Sequence, residues 1–79
     1  MTLTPRIMGE TINLLDVVAL AEDIPQRGLT CGQVGTVVEL LAPGVFEVEF
    51  SDDDGHVYAT AALNNEQLML LHYRPAHLA

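Results

Sequence analysis

The sequence predicts an all-β protein, a small five-stranded antiparallel barrel, and three observations support this prediction. The chain has 79 residues, enough for one hydrophobic core and not for two. Its hydrophobic content of 49% is too high for a disordered chain. Short apolar runs alternate with turns rich in Gly, Pro and Asp, and the later turns are too short for parallel crossovers. Closing so short a sheet into a barrel also protects its edges.

Each predicted strand is an apolar run that ends at turn-forming residues. The predicted strands are residues 14–20, 34–40, 45–50, 56–60 and 68–73. The third run has the clearest alternation, since Phe46, Val48 and Phe50 share one face. Glu47 and Glu49 lie on the other face, so this strand is expected to be buried on one side and acidic on the other.

The connections between the strands follow from Pro, Gly and Asp. Residues 21–33 contain one proline and two glycines and are predicted to form a long loop. Pro43 and Gly44 suit a type II turn, and the Asp-rich residues 51–55 suit a polar turn. Side-chain capping within residues 63–67 predicts a short 3₁₀ turn before the last strand. The chain therefore divides into an N-terminal tail (1–13), a barrel (14–75) and a C-terminal tail (76–79).

The charge of the chain restricts its partners. Three Lys+Arg against 11 Asp+Glu give a net charge of −8. Nucleic-acid binding needs basic side chains to neutralise phosphates, and only Arg6, Arg27 and Arg74 are available. The same acidity disfavours an anionic membrane surface and favours a basic protein partner. The alternative is that the acidity only keeps a small apolar domain soluble.

The sequence also bears on location. No apolar run approaches the roughly 20 residues that a spanning helix needs, and residues 1–8 lack the pattern of an export signal. We therefore expect a cytoplasmic protein, in which the lone Cys31 stays a reduced thiol.

No set of residues predicts catalysis, a cofactor or a metal. The Asp run at residues 52–54 lacks the Glu at position twelve that an EF-hand calcium loop requires. Glu39, Glu47 and Glu49 are expected to stay ionised on a solvated face. The three histidines have no metal-ligand spacing; they are His56, His72 and His77. We therefore expect no enzyme, and expect Glu47 and Glu49 to offer charge to a basic partner.

Apolar residues occur on both faces of the first and last predicted strands. One barrel interior cannot take both faces, and exposed apolar patches commonly mark binding surfaces. We therefore predict a face for a partner, or for self-association, formed by Val18, Leu20, Met69 and Leu71. The alternative is that residues 1–13 cover these side chains.

A resemblance to known proteins is carried by residues 32–39, which read GQVGTVVE. This stretch resembles the turn-and-strand signature of SH3-like barrels, among them KOW domains and the barrel of the nitrile hydratase beta subunit. Residues 14–71 resemble more closely a family of small bacterial proteins, often cyanobacterial, that share the DVVAL and EVEFSD motifs found here. The resemblance implies an SH3-like barrel in which the glycines of the motif, Gly32 and Gly35, shape the entry to the second strand.

Three classes of function remain open from the sequence. The first is a non-enzymatic acidic protein-interaction module, in the form of an antitoxin-like or immunity-like neutraliser of a protein encoded beside it. The second is a KOW-like module that associates with nucleic acid or the ribosome. The third is an accessory subunit of an enzyme such as nitrile hydratase.

Overall fold

A computed structural model describes residues 11–72, and its regular structure is one antiparallel sheet. The strands are β1 (Val17–Leu20), β2 (Val34–Ala42), β3 (Val45–Ser51), β4 (Val57–Asn64) and β5 (Leu68–Leu70). Their order across the sheet is β4-β3-β2-β1-β5. The all-β prediction and its five antiparallel strands are confirmed, and the first and last strands are neighbours, as expected.

The sheet curls so that its inner face closes on a single core. Phe46, Val48 and Phe50 of β3 all point inward and are almost fully buried. They meet buried side chains from the other strands, including Val18, Leu20, Val37, Ala61, Leu63 and Leu68. Ile12 joins the same core from the segment that precedes the sheet. Because every strand contributes to one core, the sheet has a barrel-like form.

β1 begins later than the sequence predicts, at Val17 and not at residue 14. A turn occupies the earlier residues: the Asp16 backbone N–H donates to the Asn13 carbonyl at 3.1 Å, and Asp16 Oδ2 accepts from the Asn13 N–H at 2.8 Å. Leu15, inside this turn, has a φ of +72°. An L-residue in this left-handed region cannot continue a strand, which sets the start of β1.

β4 extends further than predicted, through Asn64, because residues 61–64 continue to pair with β3. The 3₁₀ turn before the last strand is confirmed as a short helix at Asn65–Gln67. Asn64 Oδ1 accepts from the Glu66 and Gln67 backbone N–H groups at 3.0 and 3.2 Å. Gln67 Oε1 accepts from the Asn64 N–H at 3.0 Å, which completes a capping box.

The predicted long loop is ordered by a second 3₁₀ helix, Pro25–Arg27. An isolated bridge between Ile24 and Leu29 closes the loop around this helix, and both side chains reach the core. The loop therefore brings Arg27 to the edge of the sheet, where its guanidinium lies near β4.

Gly35 permits a close approach between β2 and β3. A Cβ atom at this position would lie 2.7 Å from Val48 Cγ1 and 2.8 Å from the Glu49 carbonyl oxygen. Real Cβ atoms do not approach other atoms so closely, because optimal carbon contacts lie near 3.5–4.0 Å. Gly35 is thus required by packing, as the sequence motif indicates.

Candidate functional site

The outer face of β3 carries the two predicted glutamates. Glu47 and Glu49 are half-buried and alternate with the core residues of the same strand. Across the sheet, Glu49 lies opposite Thr36 of β2 and Thr60 of β4. We call the surface formed by Glu39, Glu47 and Glu49 the acidic face.

Glu47 lies directly opposite Glu39 on the neighbouring strand. Residues directly opposite in an antiparallel pair have Cβ atoms about 4.5–5.5 Å apart, and like charges in these positions are destabilising. Glu49 is two residues further along the same face. The sheet therefore places three carboxylates on one face.

No Lys or Arg of residues 11–72 forms an ion pair with these carboxylates. Arg27 is the one Lys or Arg in this range, and its Nη2 donates to the Thr60 carbonyl at 2.6 Å. Arg27 and Glu47 both line a shallow cleft of about 360 Å³, together with Gln26 and Gln67. The acidic face keeps its negative charge, with one guanidinium at its border.

The structure corrects half of the predicted apolar face. Val18 and Leu20 are 0% and 1% exposed and belong to the core, so they offer no surface to a partner. The error arises because the inward positions of β1 are 18 and 20, whereas Val17 and Ala19 occupy the other face.

Met69 of β5 and Leu71, which follows β5, keep part of their surface exposed. Met69 is 56% exposed and stands opposite Ala19 of β1. Ala19 in turn stands opposite Val34 of β2, so these three side chains form one cross-strand row. Leu71 is half-buried, and its N–H donates to the Val17 carbonyl at 3.0 Å. Their role in binding stays a prediction.

A second apolar surface, which sequence reasoning missed, lies at the end of the β2–β3 hairpin. Its exposed side chains are Leu40 and Leu41, which are 54% and 44% exposed. They line a groove of about 480 Å³ together with Ile12 and Phe46 of the core. We call this surface the leucine groove. The Leu40-Leu41 pair is the available signal, but the sequence predicts Leu40 as the last residue of a strand and Leu41 as the first residue of a turn.

Asp52, Asp54 and His56 come together at the polar turn between β3 and β4. Their ligand atoms lie within 4.8 Å of one another, and all three residues are exposed. Asp52 Oδ1 accepts from the backbone N–H groups of Asp54 and His56 at 2.9 and 3.0 Å, and His56 Nδ1 lies 3.7 Å from Asp52 Oδ2. This is the arrangement of an Asx turn, so turn geometry accounts for the cluster. The i, i+2, i+4 spacing of these three residues is visible in the sequence, but the predicted turn covers residues 51–55 and leaves out His56.

The remaining predicted residues lie in separate parts of the chain. Cys31 is exposed, and its backbone N–H donates to Asp23 Oδ1 at 2.8 Å. His77 lies outside the described residues, as do Arg6 and Arg74. Within residues 11–72 no helix is long and apolar enough to cross a membrane.

Comparison with known proteins gives one match. A family model described as a domain of unknown function (DUF4926) matches residues 14–70, which is more than half of the chain. No curated protein and no solved structure matches. The resemblance to a family of small proteins is thereby supported, whereas the likeness to SH3-like barrels, KOW domains and the nitrile hydratase barrel stays a prediction.

Proposed function

Since the chain belongs to the DUF4926 family, whose description assigns no activity, we propose a function from its surface: it is a non-enzymatic module that binds a basic protein through the acidic face. In this proposal Glu47 and Glu49 contact Lys or Arg side chains of the partner. Its most specific form is a neutraliser, antitoxin-like or immunity-like, that masks a basic functional surface of the protein it binds.

The observation that carries the proposal is the direct opposition of Glu39 and Glu47. A sheet that served only its own stability would pair one of them with Lys, Thr or a similar residue, because like charges opposite each other cost roughly 0.2–1 kcal/mol. A cationic partner would relieve the repulsion between these carboxylates when it binds. Complementary charges would also speed its association and fix its orientation. Residues that work against the stability of a fold are expected mainly at functional sites.

The geometry also argues for protein over nucleic acid as the partner. Within residues 11–72 the single guanidinium, Arg27, donates to the Thr60 carbonyl and lines the same cleft as Glu47. A phosphate backbone would meet carboxylates on this face, and phosphate binding depends on several basic contacts. For the accessory-subunit alternative, nothing in the described residues identifies an enzyme partner.

The proposal is tested by affinity capture from extract of the source cells, with three versions of the full chain as bait. The wild type is compared with Glu47→Lys/Glu49→Lys and with Asp53→Lys/Asp54→Lys. The two double variants change the net charge equally. The second variant changes only the exposed turn, where the side chains of Asp53 and Asp54 make no described hydrogen bond. The captured proteins are quantified by mass spectrometry after nuclease treatment.

The expected result is one basic protein in stoichiometric amount with the wild type and the turn variant, and its loss with the face variant. Equal loss of the captured protein with both variants would show that it responds only to net charge. Equal capture with all three baits would show that the acidic face takes no part in the interaction. Ribosomal proteins that disappear on nuclease treatment would favour the KOW-like alternative.

A further inference from the structure

β4 forms a long edge of the sheet. The strand order β4-β3-β2-β1-β5 places it at one end, where β3 is its only neighbour in the sheet. It has eight residues, against three in β5 at the opposite edge, and none of the eight is charged, a glycine or a proline. An edge strand that lacks these protective residues is a template on which another extended chain can pair.

The direction of the peptide groups along β4 follows from the hydrogen bonds at its end. The Asn65 N–H donates to the Gly44 carbonyl at 3.1 Å, on the side of β3. Peptide groups that face the partner strand alternate with groups that face away in an antiparallel pair, and the register with β3 is uninterrupted over this part of β4. The peptide groups of Thr60, Ala62 and Asn64 therefore point away from β3.

Two of these three outward positions are capped by side chains. Arg27 Nη2 donates to the Thr60 carbonyl at 2.6 Å, and the Asn64 N–H donates to Gln67 Oε1 at 3.0 Å. Ala62 lies between them, and no residue at 11–72 forms a hydrogen bond with its outward N–H or carbonyl group. The open part of the edge is therefore centred on Ala62.

The two sides of this edge differ in chemistry. On the outer face, Glu47 of β3 lies directly opposite Ala62, and Glu49 lies opposite Thr60. The shallow cleft at the edge, which Glu47 lines, is also lined by the apolar residues Ile24, Ala61 and Leu63. Successive side chains of a strand point to opposite faces. A chain laid along β4 would therefore turn one set of alternate side chains toward carboxylates and the other set toward apolar surface.

This arrangement selects one kind of occupant. A residue opposite Ala62 on an added strand would lie two strand spacings from Glu47, about 9–10 Å. The small side chain of Ala62 leaves room for a Lys or Arg to cross that distance to the carboxylate. A second copy of β4 would bring only uncharged side chains to these positions, so it would leave the acidic face without a cation.

We propose that the edge of β4 at Ala62 binds an extended segment of a basic protein by strand addition, and that Lys or Arg alternates with apolar residues in this segment. Its basic residues exchange backbone hydrogen bonds with Ala62 while their side chains reach the acidic face. Pairing beyond Ala62 replaces the caps of Arg27 and Gln67 with main-chain groups. This inference rests on the proposed function and gives the partner a backbone anchor in addition to its charge. In strand addition, main-chain hydrogen bonds supply affinity and alternate side chains supply specificity.

The test uses the full chain and four fluorescent synthetic peptides of equal length. The first alternates Lys and Val, and the second has Glu in place of Lys. The other two keep the Lys/Val sequence and carry backbone N-methyl groups, on the Lys residues in one and on the Val residues in the other. In the proposed pairing the Lys N–H groups face β4 and the Val N–H groups face away, so only methylation of the Lys residues blocks hydrogen bonding.

Binding is followed by fluorescence anisotropy at moderate ionic strength. We expect the unmodified Lys/Val peptide and its N-methyl-Val form to bind alike. The N-methyl-Lys form and the Glu-containing peptide should bind at least tenfold more weakly. The two methylated peptides have the same charge and composition, so a difference between them reports the backbone hydrogen bonds alone.

Two substitutions locate the site on the protein. Ala62→Pro removes the N–H of the open edge position, where proline is compatible with the sheet because this N–H faces away from β3. Ala62→Ser, the control, keeps the N–H and a small side chain. We expect at least a tenfold loss of affinity for the first and less than a twofold change for the second, with folding checked by circular dichroism. If Ala62→Pro does not fold, the methylated peptides test the same hydrogen bonds from the partner's side.

Several outcomes would overturn the inference. Equal binding of the N-methyl-Lys and unmodified peptides, or full binding by a folded Ala62→Pro variant, would exclude strand addition at this edge. If Glu47→Lys/Glu49→Lys still abolished binding in that case, the acidic face and the proposed function would stand. Equal binding of the Glu-containing peptide would contradict both proposals. Dimers of the free chain that Ala62→Pro dissociates would identify a second copy as the occupant.

Discussion

The packing of the sheet predicts that the substitution Gly35→Ala destabilises the protein. Gly35 is buried, and a Cβ atom there would lie 2.7 Å from Val48 Cγ1, 2.8 Å from the Glu49 carbonyl oxygen and 3.0 Å from Phe50 Cδ2. Val48 and Phe50 are 0% exposed, so neither can move aside into solvent. The carbonyl oxygen belongs to the β3 backbone and can move only if the two strands separate.

Two effects of opposite sign compete in this substitution. Gly35 lacks a positive φ, so alanine restricts the unfolded chain and would by itself stabilise the protein by about 0.4–1 kcal/mol. Forcing an extra methyl group into a packed core costs about 1–3 kcal/mol, and a backbone contact places this site in the upper part of that range. The net expectation is a loss of about 1.5–2.5 kcal/mol. For a domain of this size each kcal/mol lowers Tm by about 4–8 °C, so Tm should fall by about 6–20 °C.

The assay is thermal and urea unfolding followed by far-ultraviolet circular dichroism. The control is Thr36→Ala, the next residue of β2, which is half-buried on the outer face and is expected to change stability by no more than about 0.5 kcal/mol. A Gly35→Ala variant as stable as the wild type, or more stable, would refute the close approach of β2 and β3. An equal loss in both variants would refute the assignment of the effect to packing.

Three further substitutions test local features of the structure. Leu15→Gly should raise Tm by a few degrees, because glycine relieves a φ of +72° and little burial is lost; Leu14→Gly, next to it, should not raise Tm. Asn64→Ala should lower the free energy of unfolding by about 1 kcal/mol, measured in urea, because it removes Oδ1, which accepts from the backbone N–H groups of Glu66 and Gln67. Asp52→Ala should destabilise the polar turn by about 1 kcal/mol, whereas Asp53→Ala, whose side chain makes no described hydrogen bond, should be close to neutral by the same measurement.

The fold was predictable because the sequence features that specify it lie within single strands and turns. Alternating Phe46, Val48 and Phe50 fixed which face of β3 is buried, and Pro43 with Gly44 marked the hairpin turn. The limits of β1 were not predictable in the same way. Leu14 and Leu15 continue the apolar run, and only the hydrogen bonds between Asn13 and Asp16 turn the chain away from the strand.

The candidate surfaces depend on pairing between strands, which one sequence does not specify. Glu47 and Glu49 were predictable as outward-facing, but the opposition of Glu39 and Glu47 follows from a bulge after Val37 that shifts the register. The assignment of Val18 and Leu20 to the surface failed because a strand with apolar residues on both faces gives no sign of which face turns inward.

In the proposed function, the carboxylates of the acidic face serve a partner and not the stability of the free domain. The most direct measurement is the free energy of unfolding of Glu47→Gln at low ionic strength, compared with the wild type and with Asp53→Asn. Glu47→Gln is expected to be more stable than the wild type by about 0.2–1 kcal/mol, because a like-charge pair is removed, and the gain should shrink at high salt. A less stable Glu47→Gln would contradict this expectation and would point to a stabilising interaction of Glu47 with Arg27, which lines the same cleft.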